Sequence, residues 1–131
     1  MSKPVILCVD DEVVVLNSLK IQLKNELSDA YLYEVAESAD EALELIEELE
    51  EDDTKILVIV SDWLMPGIKG DEFLIKVHQK YPNIIKVMLT GQADEVAIER
   101  AKLQANLHEC LHKPWEGKKL IETIKSGLGK L

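Results

Sequence analysis

The chain has 131 residues, 47% of them apolar, which is enough for one domain with a hydrophobic core and excludes a disordered chain. Its net charge of −10 argues against a sequence-independent grip on nucleic acid or an anionic membrane, since both need a positive field. No apolar run approaches a membrane span, no leader pattern precedes the first strand, and the two cysteines form neither a close-spaced disulfide nor a zinc pattern, so a reducing cytoplasm is the expected compartment.

In chain order the pattern alternates strand and helix five times. Val5-Ile6-Leu7-Cys8-Val9 is an unbroken apolar run of the kind found in buried parallel strands, and it stops on Asp10-Asp11. Residues 12–27 follow with Val13, Leu16, Leu19, Leu23 and Leu27 at helical spacing. Residues 31–36 predict a short second strand. Residues 39–49 predict a second helix, with Ser38 as N-cap and Glu41 three residues on, a capping-box pattern. The tract Glu47-Glu48-Leu49-Glu50-Glu51-Asp52-Asp53 carries much of the excess charge and reads as a solvated helix end and loop, although helix C-termini prefer cations.

Residues 56–60 predict the third strand, and that run stops on Asp62. Residues 63–69 form a loop with a Pro66-Gly67 turn signal, and 71–80 a third helix closed by Pro82. Residues 85–90 predict the fourth strand, 93–104 the fourth helix and 109–112 a short fifth strand. After Lys113-Pro114 a last helix covers 117–128. Alternating elements imply an α/β fold, a parallel sheet with helices on both faces. Five units leave no room for a second domain, so residues 1–131 are expected to form one.

In such sheets ligands bind in the crevice beyond the carboxyl ends of the strands. The first strand is not followed by Gly-x-Gly-x-x-Gly or by a P-loop, so nucleotide binding is poorly supported. Asp10, Asp11, Asp62, Thr90 and Lys113 stand at the strand ends instead. Carboxylates roughly 5 Å apart repel by about 3 kcal/mol per pair at an effective dielectric near 20. A hard divalent ion removes that penalty, and Mg²⁺ takes carboxylates, waters and phosphate oxygens. A carboxylate can also attack phosphorus to give an aspartyl phosphate. Lys113 would then supply a point charge and Thr90 a hydroxyl donor, which makes a phosphoryl-accepting site.

The chain resembles the receiver domain of bacterial response regulators, the CheY-like domain of two-component signalling. The matching motifs are Val9-Asp10-Asp11-Glu12, Ser61-Asp62-Trp63-Leu64-Met65-Pro66-Gly67, Leu89-Thr90-Gly91 and Lys113-Pro114, in the right order across the whole chain. The resemblance implies a (βα)5 doubly wound five-stranded parallel sheet of strand order 2-1-3-4-5. It makes Asp62 the phosphoacceptor, Asp11 the direct Mg²⁺ ligand, Asp10 its support and the Leu64 carbonyl a further ligand. Thr90 becomes the switch hydroxyl and Lys113 the phosphate partner, next to an X-Pro bond that is commonly cis in the family. The implied donor is a sensor histidine kinase or histidine phosphotransfer protein, with small donors such as acetyl phosphate as substitutes. The implied output is a rearranged surface around the fourth helix and fifth strand, read by a downstream effector domain or protein or by a phosphorylation-dependent homodimer. Such a domain catalyses only its own phosphorylation and dephosphorylation.

The chain departs from the family pattern at Cys110, where an aromatic usually swings inward with the threonine. Coupling is therefore expected through backbone shifts or another side chain, with Trp115 a candidate for that surface or for packing. Leu64 and Gln92 occupy the positions that tune dephosphorylation, and an apolar Leu64 should not orient water. His108, Cys110 and His112 alternate and would point the same way on a strand, a thin case for a soft-metal site. His78 reads as a surface or rim residue and Cys8 as core, and a Cys8–Cys110 disulfide is not expected. Two other functions compete. An aspartyl-phosphate hydrolase would need Asp-x-Asp on the first strand, which Asp10-Asp11 does not give. An atypical receiver would act as a phosphorylation-independent docking module.

Overall fold

The computed structural model describes residues 3–91 and 95–131. Its elements run β1 (Val5–Val9), α1 (Val13–Leu27), β2 (Leu32–Ala36), α2 (Ala39–Glu51), β3 (Ile56–Asp62), α3 (Gly70–Lys80), β4 (Ile85–Thr90), α4 (Glu95–Gln104), β5 (Glu109–His112) and α5 (Gly117–Leu128). The strands form one parallel sheet in the order β2-β1-β3-β4-β5. This is the parallel α/β sheet that the strand and helix pattern implies, in the strand order that the family resemblance implies.

Strand alternation divides the core between two faces. Val5, Leu7 and Val9 pack toward α2, α3 and α4, with Phe73, Leu74 and Met88. Ile6 and Cys8 face α1 and α5, with Leu16, Leu19, Leu23, Leu120 and Ile124. The leucines expected on α1 are its buried residues. Ser38 caps α2 by accepting the Glu41 N–H at 3.1 Å, and the acidic residues that end this helix are exposed.

Element ends differ from the expected ones for local reasons. Glu12 is the cap of α1 and not its first residue, because the Asp10 carboxylate takes the Glu12 N–H at 2.9 Å. α2 runs two residues beyond Leu49, and the left-handed Asp53 (φ 56°) follows it. β3 runs on through Asp62, which stays in register with Leu89 of β4. The expected start of α4 at Ala93, and Gln92 before it, lie outside the described residues. Among the described residues, no helix is long and apolar enough to cross a membrane.

Candidate phosphoryl-accepting site

Four strands deliver the site. β1 ends one residue before Asp10, β3 ends on Asp62, β4 on Thr90, and Lys113 follows β5. Backbone bonds carry the ladder past these ends and fix the residues relative to one another. Asp10 N–H donates to Ala36 O (3.1 Å), Trp63 N–H to Leu89 O (2.8 Å) and Lys113 N–H to Thr90 O (2.8 Å). The Lys113-Pro114 peptide is cis.

The Lys113 ammonium bridges two carboxylates, 2.9 Å from Asp10 Oδ2 and 3.1 Å from Asp62 Oδ1. Asp10, Asp62 and Thr90 are buried, while Asp11 is exposed. Carboxylate oxygens of Asp10, Asp11 and Asp62 all lie within 4.8 Å of one another. Burial, then the Asp10 charge, push the Asp62 carboxyl above its ordinary value, and the Lys113 contacts only partly offset them. Burial pulls the Lys113 ammonium down, but its hydrogen bonds and charge contacts with Asp10 and Asp62 outweigh this and hold it up. The Lys113 ammonium touches two of the three carboxylates, Asp10 and Asp62. The site is one cation short, and its hard oxygen donors fit a small divalent ion. Leu64 lies in the loop after β3 with its side chain half exposed.

The loop beyond Asp62 is tightly held. Gly67 takes a left-handed conformation (φ 79°) in the predicted turn. Gly70 N–H donates to Trp63 O at 2.8 Å. A Cβ at Gly70 would collide with the Asp62 carbonyl oxygen and lie 2.7 Å from the Trp63 Cα, so only glycine fits where α3 begins. The Trp63 indole donates to Asp71 Oδ1 (3.0 Å), and Arg100 Nη1 on α4 donates to Asp71 Oδ2 (2.9 Å). On the other side of Lys113, Trp115 packs against the α1–α5 core and its indole donates to Gln22 Oε1 on α1 (2.9 Å).

The remaining sequence candidates scatter. His108, Cys110 and His112 do not gather, because β5 begins at Glu109 and the period-two rule fails for His108. The His108 ring instead sits on α5, with Nε2 3.1 Å from Thr123 O and Nδ1 3.0 Å from Lys130 Nζ. Cys110 is half-buried beside the α3–α4 core, while Cys8 lies in the α1–α5 core; both are free. Burial raises the Cys8 thiol to about 12. His78 is more than a rim residue, since its Nδ1 lies 3.0 Å from the Nζ of Lys86, which is 1% exposed. Lys86, Asp71, Arg100, Gln22 and Gly70 were not singled out by the sequence. Lys86 alone left a signal, a lysine inside the apolar run of β4.

The receiver domain family of response regulators matches residues 6–125. The chain belongs to that family, the receiver domains of two-component systems. It is 30% identical over 123 residues to the hydrogenase transcriptional regulatory protein HoxA of Cupriavidus necator; the match covers 94% of this chain and 24% of that protein. The chain thus spans about a quarter of that relative's length. A CheY-like receiver domain protein from Methanospirillum hungatei superposes with a TM-score of 0.85 at 32% identity, covering 98% of this chain and 96% of that one. The receiver domain of an HD domain-containing protein from Pseudomonas fluorescens also gives 0.85, at 27% identity, covering 99% and 90%.

Proposed function

We propose that the chain is a phosphorylated switch, accepting a phosphoryl group on Asp62 from a phosphohistidine of a sensor kinase or phosphotransfer protein. The observation that carries this reading is the Lys113 ammonium held between Asp10 and Asp62, with Asp11 completing a cation-poor acidic set. An Asp62 carboxylate oxygen attacks phosphorus, the P–N bond breaks and the pair returns to the imidazole. Lys113 neutralises the phosphoryl oxygens, and Thr90 donates its hydroxyl to one of them. Asp10, Asp11 and Asp62, with the Leu64 carbonyl, would hold Mg²⁺, which would supply further charge neutralisation.

The added charge of roughly −1.5 to −2 changes what the strand ends attract, and the surface of α4, β5 and α5 carries the change to an effector or to a second copy. The domain works in the cytoplasm and turns over no outside substrate. Incubation with acetyl phosphate and Mg²⁺ should add about 80 Da to the intact chain and nothing to Asp62→Asn. Chelation of the metal should abolish the adduct. An intact chain that gains no mass would instead be a docking module that works without phosphorylation, a reading that Cys110 keeps open and the complete acidic set argues against.

A further inference from the structure

The fourth helix is seated unlike the others. α1 buries four leucines, and α5 buries Leu120, Ile121 and Ile124. The buried residues of α4 are Ala97 and Ala101, with Ile98 half-buried, while Val96 and Leu103 face solvent. So little apolar area holds this helix weakly. Its polar tether is correspondingly prominent. Arg100, in the middle of α4, reaches Asp71, which is 2% exposed on the first turn of α3. Asp71 also accepts the indole N–H of Trp63, the residue after Asp62. Trp63 is in turn bonded through its own N–H to Leu89 O, one residue before Thr90. A continuous hydrogen-bonded chain therefore runs from the site's backbone through one indole and one carboxylate to the most weakly seated helix.

We infer that Trp63, Asp71 and Arg100 form the relay that couples the state of Asp62 to the position of α4, with Asp71 and Arg100 as positioning residues. The inference rests on the phosphoacceptor reading of Asp62. It supplies the route that Cys110, with no ring to swing, leaves open. A shift of the β3 and β4 ends around a new phosphoryl group moves the Trp63 peptide. The indole pulls on the buried carboxylate, and the carboxylate pulls on or releases Arg100. Coupling of this kind is reciprocal, so α4 also biases the site.

The test uses the full chain and three variants, Arg100→Gln, Arg100→Lys and Asp71→Asn. Amide hydrogen exchange across α4 is measured with Mg²⁺ alone and with Mg²⁺ plus beryllofluoride, a phosphoryl mimic, alongside the acetyl-phosphate mass adduct. The mimic should change exchange in α4 of the intact chain by about tenfold. In Arg100→Gln and Asp71→Asn the change should shrink to less than about twofold with the adduct still formed, and Arg100→Lys should restore most of it. An unchanged response in Arg100→Gln overturns the relay, as does an intact chain that gains the adduct while α4 stays still. An intact chain that gains no adduct overturns the phosphoacceptor reading and the relay with it.

Discussion

Two lysines at opposite ends of the sheet, Lys86 buried and Lys113 half-buried, hold their protons in opposite ways. Lys113, at the carboxyl end, has two carboxylates within 3.1 Å and its ammonium is held up. Lys86, near the amino end of β4, is bonded to Ile84 O (2.6 Å), to Pro82 O (3.5 Å) and to His78 Nδ1. Carbonyls and an imidazole do not repay the desolvation of an ammonium, and burial pulls Lys86 down to about 8. The same residue type is thus a fixed cation where the site needs one and a titrating group where the fold merely accommodates it. Burial lowers both, and the carboxylate partners of Lys113 reverse the sign there.

Removing the fixed cation should have the largest effect. Lys113→Ala leaves Asp10, Asp11 and Asp62 without their ammonium, and the rate of adduct formation with acetyl phosphate should fall roughly a hundredfold or more. A drop below about tenfold would put Lys113 on a level with an ordinary surface charge.

The second test is the pH dependence of stability. Unfolded Lys86 titrates at 10.5 and folded Lys86 at about 8. Between these values the unfolded chain binds more protons, so this group's contribution rises with pH and is lost as pH falls toward 8, by roughly 3 kcal/mol over the window. Cys8 acts in the opposite sense. Its thiol is raised from 9.0 to about 12, so its contribution is lost as pH rises above 9. Urea unfolding of the wild type should therefore show stability climbing from pH 8 to 9, and Lys86→Met should flatten the climb. The same climb in both proteins would sink the assignment.

Smaller effects should follow from the supports of each lysine. His78→Phe removes an acceptor from the buried ammonium and should cost about 1 kcal/mol at pH 7, vanishing above pH 10 where Lys86 is neutral. Gln22→Ala removes the indole's partner beside Lys113 and should cost less than about 1 kcal/mol, with a change in Trp115 emission as the direct readout.

The strands, and the site at their ends, were legible because apolar runs that stop on Asp10-Asp11 and Asp62 announce both a buried strand and its carboxyl end. Helix order followed from the same alternation. The Asp71–Arg100 pair could not be read, because each residue looks like a solvated helix charge until α3 and α4 are packed together. The direction of His108 could not be read from its alternation with Cys110 and His112 for a different reason: a period of two holds only inside a strand, and β5 starts one residue later. Lys86 broke the apolar pattern of β4 visibly, but a sequence does not show that its amine ends on two carbonyls and an imidazole.

The missing side chain at Gly70 has a mechanical consequence. α3 starts flush against the Asp62–Trp63 peptide, with no room for even a methyl group between them. A strand end backed in this way cannot move toward α3 alone: a shift of the Asp62–Trp63 peptide in that direction has to take the first turn of α3, and Asp71 on it, along.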